Sequence, residues 1–160
     1  MSVKWNDEAI IAAIKKGVMN GIAFGLQDIE AEAILLLTQG PKTGRVYRRR
    51  GVTHQASAPG EAPASDSGRL ANSGVITLFP EQVRGALSFA TIYTRPLELG
   101  STYAIKGGGG VDRGNAAQRE FGTQSLEPRP FIRPAVANRA YNVQVRIAGE
   151  VQAALLARGG

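Results

Sequence analysis

The chain has no cysteine and one histidine, His54, and each shortage removes a class of function. Without cysteine there is no disulfide scaffold, no thiolate metal site and no cysteine nucleophile. A single imidazole leaves no histidine cluster for zinc and argues against a Ser-His-Asp triad. An ordinary metalloenzyme or thiol enzyme is therefore excluded.

Long apolar runs are also missing: none reaches the roughly 18 residues of a membrane span, and no signal-peptide pattern opens the chain. We therefore expect a soluble protein with no membrane partner. Its 160 residues, 43% of them apolar, suit one domain with a real core. Gly and Pro, at 20 and 8 residues, indicate long ordered or arm-like loops.

Positive charge is concentrated in one stretch of the chain. Residues 1–40 hold three basic and five acidic residues, a net charge of −2, whereas residues 41–70 hold six basic and two acidic residues, a net charge of +4. A cluster of this kind suits a polyanion or an acidic protein surface, and a solvated loop is the alternative. Its densest part consists of Lys42, Arg45, Arg48, Arg49 and Arg50.

Two long helices are predicted, one at each end of the chain. Apolar residues recur every three or four positions from Ile10 to Leu36, which predicts a helix from Asn6 to Thr38 that stops before Gly40-Pro41. Gly17, Gly21 and Gly25, four residues apart, predict a kink or a close helix crossing. A second helix is predicted over 134–158, opening at Pro134. Its expected apolar face is Val136, Ala140, Val143, Ile147, Val151 and Leu155.

Between the helices, residues 41–65 are rich in Gly, Pro and small residues, and they predict an extended arm. A short helix is expected over 66–73. A hairpin follows, with strands over 75–79 and 83–93, and further strands are expected over 103–105 and 119–121. The order predicts a single α+β domain, in which the two helices pack against a small antiparallel or mixed sheet.

No set of residues assembles a catalytic, cofactor or metal site. The glycines at 107–110 lack the Lys-Ser/Thr and the helix of a phosphate loop, which favours a flexible hairpin tip. Glu98 and Glu120 are separated in sequence and show no cleft for acid–base catalysis. His54 lies in the polar arm, where a solvated imidazole is the default. Because no nucleophile, base and oxyanion site come together, we expect no enzyme.

Two blocks resemble a known family. Residues 56–73, ASAPGEAPASDSGRLANS, resemble the signature ASxPGExPxxDxGxLxxS, and residues 119–135, REFGTQSLEPRPFIRPA, resemble a second block with EFGT and RPFxRPA. Their order and separation, and the flanking helices, also fit. The family is that of the head–tail joining, or tail-completion, proteins of long-tailed phages and prophages. Residues 101–119, which separate two EFGT-like stretches, look like an inserted loop.

The resemblance implies a structural virion protein, assembled in the host bacterial cytoplasm, that forms a sixfold ring at the head–tail junction. Its partners would be further copies of itself, the tail tube protein and a head-side connector, with DNA passing through the lumen without sequence-specific binding. A tail terminator and a separate neck ring both remain open. The alternative is a sequence-independent nucleic-acid-binding protein that uses the basic arm. Trp5 lies outside that arm, and we expect no aromatic residue among its arginines, unlike the stacking surface of a single-strand binder.

The candidate site residues fall into two groups. Contacts with neighbouring subunits or partners are assigned to Arg45, Arg48, Arg49, Arg50, Pro59 and Pro63. Structural roles are assigned to the motif residues Gly68, Leu70, Phe121, Gly122, Pro130, Phe131 and Pro134. Within the second group, Gly68 and Gly122 are expected where a side chain would strain the backbone, and Phe131 is expected to anchor the core.

Overall fold

Three helices and three two-stranded antiparallel sheets make up the fold, in a computed structural model that describes residues 7–49, 51–65, 67–104 and 123–157. The α+β class is confirmed, although the strands form three separate pairs instead of one sheet. The elements are α1 (Asp7–Gln39), β1 (Val46–Arg49), β2 (Val52–Gln55), β3 (Gly74–Phe79), β4 (Arg84–Phe89), α2 (Thr94–Leu99), β5 (Ser101–Ala104), β6 (Thr123–Leu126) and α3 (Ile132–Leu156). The sheets are β1–β2, β3–β4 and β5–β6.

Helices α1 and α3 cross with their backbones in contact. The 33 residues of α1 span about 50 Å, and α3 runs antiparallel along it, so that Gly17 faces Val151 and Gly25 faces Val143. A Cβ atom added at Gly21 would lie 2.5 Å from the Cα atom of Ile147. The glycine spacing therefore marks a close helix crossing, one of the two predicted outcomes.

The buried core lies at one end of this helix pair. Phe131, just before α3, is fully buried and meets Phe89 edge-on, with the ring centroids 5.0 Å apart. This confirms the prediction that Phe131 anchors the core. The other buried apolar residues among those described are Ile29, Ala33, Leu37, Ala62, Ala71, Phe89 and Ala135.

The β3–β4 hairpin packs on the middle of α1, where Gly85 lies against Ile22 and Leu26. The predicted first strand is confirmed, but the predicted second strand, 83–93, is too long. Val83 occupies a turn with φ of +47°, and β4 ends at Phe89. The chain then enters α2. Pro96 is compatible with this helix because it lies in the first turn, where the missing N–H of proline costs no hydrogen bond.

Within the predicted arm over 41–65, the structure has a hairpin that returns to the body. Residues 46–55 form the β1–β2 hairpin, and the chain returns to the body, since Gly44 donates its N–H to the Ala56 carbonyl at 2.9 Å. The Glu61 carboxylate closes this loop by accepting hydrogen bonds from the N–H groups of Thr43 and Ala58. The hydrogen bonds to Thr43 are the main cause of the lowered pKa of Glu61.

Two weaker predictions fall partly outside the described residues. The short helix expected over 66–73 is a single 3-10 turn, Ala71–Ser73. The strand expected over 103–105 overlaps β5, which pairs with β6. The strand expected over 119–121, the glycines at 107–110, Glu120, and most of the inserted loop lie outside the described residues.

Candidate functional site: a basic hairpin beside the joined motifs

The β1–β2 hairpin presents the basic cluster to solvent. Arg45, Arg48 and Arg49 are all exposed, whereas Arg50 lies outside the described residues. Because side chains alternate along a strand, Arg48 and Arg49 lie on opposite faces of the hairpin. The structure therefore places the predicted cationic residues together on a ribbon whose two faces are both charged.

An aromatic pair lies inside the basic cluster. Tyr47 and His54 are directly opposite in the β1–β2 register, and their rings stack with centroids 5.5 Å apart and planes 20° from parallel. The expectation that no aromatic residue lies among these arginines was wrong, since Tyr47 stands between Arg45 and Arg48 in the sequence.

Lys42 does not belong to the basic surface. Its Nζ donates hydrogen bonds to the carbonyl oxygens of Leu36 at 3.1 Å and Ala62 at 2.8 Å, so it adds a second hydrogen bond to a last-turn carbonyl of α1 that also accepts the Gly40 N–H. Desolvation by burial lowers the pKa of Lys42. The described cations of the sequence cluster are thus divided between the end of α1 and the hairpin.

The two motif blocks meet in space. The N–H of Gly60 donates to the Pro128 carbonyl at 2.9 Å, and Arg129 Nη1 donates to the hydroxyl of buried Ser57 at 3.3 Å. A cleft of about 280 Å³ lies beside this junction. Its lining includes Tyr47, Arg69, Leu70, Tyr93, Leu97 and Arg129. The junction therefore joins the base of the hairpin to the lead into α3.

Glu98 holds the start of α3. Its buried carboxylate accepts hydrogen bonds from the N–H groups of Phe131 at 2.9 Å, Ile132 at 3.1 Å and Arg133 at 2.9 Å. These are the N–H groups that a helix start leaves without partners. Sequence reasoning considered this residue only for catalysis. No local signal marks the cap, because 33 residues separate the two partners.

A second buried carboxylate, Glu32 of α1, ties α1 to α3. It accepts hydrogen bonds from Asn138 Nδ2 at 2.8 Å and from Arg139 Nε at 3.0 Å. The hydrogen bond from Asn138, followed by that from Arg139, lowers the pKa of Glu32. Farther along the pair, Arg146 Nε lies 3.0 Å from an oxygen of Asp28. These polar contacts set the register of the glycine crossing.

The two prolines predicted to contact partners differ in burial. Pro59 is exposed, in keeping with a surface role, but Pro63 is buried within the chain's own fold. The partner contact assigned to Pro63 stays a prediction, since this residue lines the cleft beside the motif junction.

The predicted motif residues have structural positions where they are described. Gly68 has φ of +70°, which agrees with a position that disfavours side chains. Leu70 packs against the core, Pro130 is half-buried, and Pro134 lies in the first turn of α3, which begins two residues earlier at Ile132. Phe121 and Gly122 lie outside the described residues.

Helix α1 is long and apolar enough, by length and composition, to cross a membrane. This differs from the expectation drawn from apolar runs, because that count stopped at Lys15 and Lys16. In the fold, Gly17, Gly21 and Gly25 of this helix lie against α3. Of the apolar stretch, 17% is buried inside the fold.

Among the residues that the structure describes, no group of three or more His, Asp or Glu side chains is arranged to hold a metal ion. Comparisons of the chain with protein-family models, with curated proteins and with solved structures found no match.

Proposed function

We propose that the protein is a structural virion protein of a long-tailed bacteriophage. In this proposal it forms a homo-oligomeric ring at the head–tail junction, completes the tail and joins it to the head connector. The observation that carries the proposal is the meeting of the two signature-like blocks, through Gly60 with Pro128 and Ser57 with Arg129. Their residues build the joint between hairpin and helix, a use that suits an assembly protein.

The mechanism is assembly. A ring requires two different surfaces on each subunit, which meet head to tail and close on themselves. The exposed hairpin arginines would dock on an acidic face of the tail or connector. We prefer this partner to the DNA in the lumen, because strong phosphate contacts would retard a DNA that has to slide through.

A stop codon at Trp5 of the gene in the parent phage tests the proposal. Lysates examined by negative-stain electron microscopy should contain separate full heads and tails, and overlong tails would indicate length termination in particular. A plasmid carrying the intact gene should restore joined particles, which controls for effects on neighbouring genes. Intact, infectious particles without the protein would refute the proposal.

A nucleic-acid-binding protein is the second candidate, and the stacked Tyr47–His54 pair within the arginines favours it. A gel-shift series over salt concentration discriminates the two. Replacing Arg48 and Arg49 with serine should lower the salt slope by about 0.9 per lost phosphate contact if the hairpin binds duplex DNA. The control is Arg95→Ser, at an exposed arginine of α2. No binding at physiological salt would favour the virion role.

A further inference from the structure

The distal half of the helix pair, defined as α1 residues 8–21 with α3 residues 147–157, contains few fully buried residues. In this described stretch only Gly17 and Gly21 are buried, whereas the apolar residues Ile10, Val18, Ile147 and Val151 are half-buried. Two helices joined by a backbone crossing gain little from apolar burial, which is the main source of helix stability in proteins. The distal half therefore presents surfaces that need a partner.

One side of the distal half is an apolar ridge, formed by Ile11, Ile14, Val18 and Leu155. Ile11, Ile14 and Leu155 are 52%, 37% and 39% exposed. Ile11, Val18 and Ile22 share a helix face, and Ile22 is where Gly85 of β4 covers that face. The ridge thus continues a surface that the chain's own hairpin covers farther along.

The opposite side of the distal half is a shallow groove of about 460 Å³. Its lining is Ala13, Lys16, Asn20, Glu150, Ala153, Ala154 and Ala157. At 3.6 residues per turn, two positions apart is about 200°, so Ala13 and Ile11 point to opposite sides, as do Ala153 and Leu155.

We propose that the ridge of one subunit docks in the groove of a second copy of this chain. Because the two surfaces lie on opposite sides of the same helix pair, the contact is heterologous and can repeat around a ring. The contact between two copies is inferred from these surfaces, and only its repetition into a closed ring rests on the proposed function.

The available area fits a weak contact. The distal half spans 14 residues of α1, about 21 Å, and 11 residues of α3, about 17 Å, and each helix is about 10 Å wide, so it offers a face of about 380 Å². That is about half of the 800 Å² that each partner contributes to a standard interface. Each subunit of a ring uses both faces, about 760 Å² in all. A single pair should therefore associate weakly, and a closed ring should hold.

Cysteine cross-linking tests the contact cleanly, because the chain has no cysteine of its own. The test variant carries Ile11→Cys on the ridge and Ala153→Cys in the groove, and is treated with a short bis-maleimide. Docking predicts a ladder beyond the dimer. Each single variant must stop at dimers, because one thiol per chain forms only one link. The matched control pairs Ile11→Cys with Tyr141→Cys, at a residue that is 75% exposed elsewhere on α3.

Three results would overturn the inference. One is a ladder no stronger than that of the control pair. Another is wild-type protein that sediments as a monomer up to about 1 mM, where contacts worth about 4 kcal/mol become half-occupied. The third is flotation with phosphatidylcholine–phosphatidylglycerol vesicles that Ile11→Glu abolishes, since the ridge would then face lipid. All three measurements use purified protein, so their outcomes do not depend on the result of the stop-codon experiment.

Discussion

Replacing Gly21 with alanine should destabilise the protein, although the same change in an open helix stabilises it. Alanine is better than glycine in a helix interior by about 1 kcal/mol. At Gly21, however, the new Cβ would lie 2.5 Å from the Cα atom and 2.8 Å from Cγ1 of Ile147. Favourable carbon–carbon contact begins at about 3.5 Å, so α1 and α3 have to separate by about 1 Å.

The magnitude follows from these opposed effects. Overfilling a packed contact costs about 1–3 kcal/mol, and the upper part of that range applies because a backbone atom is displaced. After the gain of about 1 kcal/mol in helix propensity, we expect Gly21→Ala to lower the free energy of unfolding by about 1–2 kcal/mol. Gly25→Ala should be milder, because its nearest atom is the side-chain Cγ1 of Val143, which can rotate.

Gly149 provides the matched control. It lies inside α3, and no atom lies within 4 Å of an added Cβ, so Gly149→Ala should gain up to about 1 kcal/mol. Thermal unfolding by circular dichroism, at one fixed protein concentration, should separate the two variants by about 5–10 °C for a chain of this size. A melting temperature of Gly21→Ala at or above that of the wild type would refute the close crossing.

Three further predictions concern the joint around α3 and can be measured by urea denaturation. Phe131→Ala should cost about 3–5 kcal/mol, because the ring is fully buried; a loss below about 1 kcal/mol would contradict its role as anchor. Glu98→Ala should cost about 1–3 kcal/mol by leaving three N–H groups unsatisfied, and Glu98→Gln, which keeps one acceptor oxygen, should cost less; equal losses would count against the cap. Glu32 has a lowered pKa in the folded state, so its contribution is complete above its ordinary value of 4.5 and is lost as the pH falls through the lowered value. Glu32→Gln should therefore flatten the acid limb of stability against pH, and an unchanged limb would contradict this linkage.

Local patterns in the sequence predicted the elements whose formation depends on local spacing. The apolar period of α1, the stop at Gly40-Pro41 and the strand over 75–79 all survive in the structure, with ends shifted by one or two residues. The four-residue spacing of the glycines predicted a kink or a close helix crossing, and the structure has the crossing. It did not identify the partner helix.

The candidate site could be predicted less well from the sequence, because it is formed by polar contacts between residues that are far apart along the chain. Lys42 looks like any other cation of the cluster, but carbonyl groups 6 and 20 residues away capture it. Glu98 and Glu61 likewise accept hydrogen bonds from N–H groups far along the chain, those of Phe131 and Thr43. Small residues and prolines after β2 predicted an arm, whereas they allow the chain to pack closely at the motif junction.

The two ends of the helix pair are stabilised by different contacts. The core end combines Phe131, Leu37 and the Glu98 cap, so it is complete within one subunit. The distal end has a glycine crossing, with a ridge on one side and a groove on the other. Because the two backbones are in contact at this crossing, the helices lie close together and both faces of the pair stay accessible to other subunits. In the proposed ring, a subunit built in this way would fold around its core alone and would gain the rest of its apolar burial on assembly.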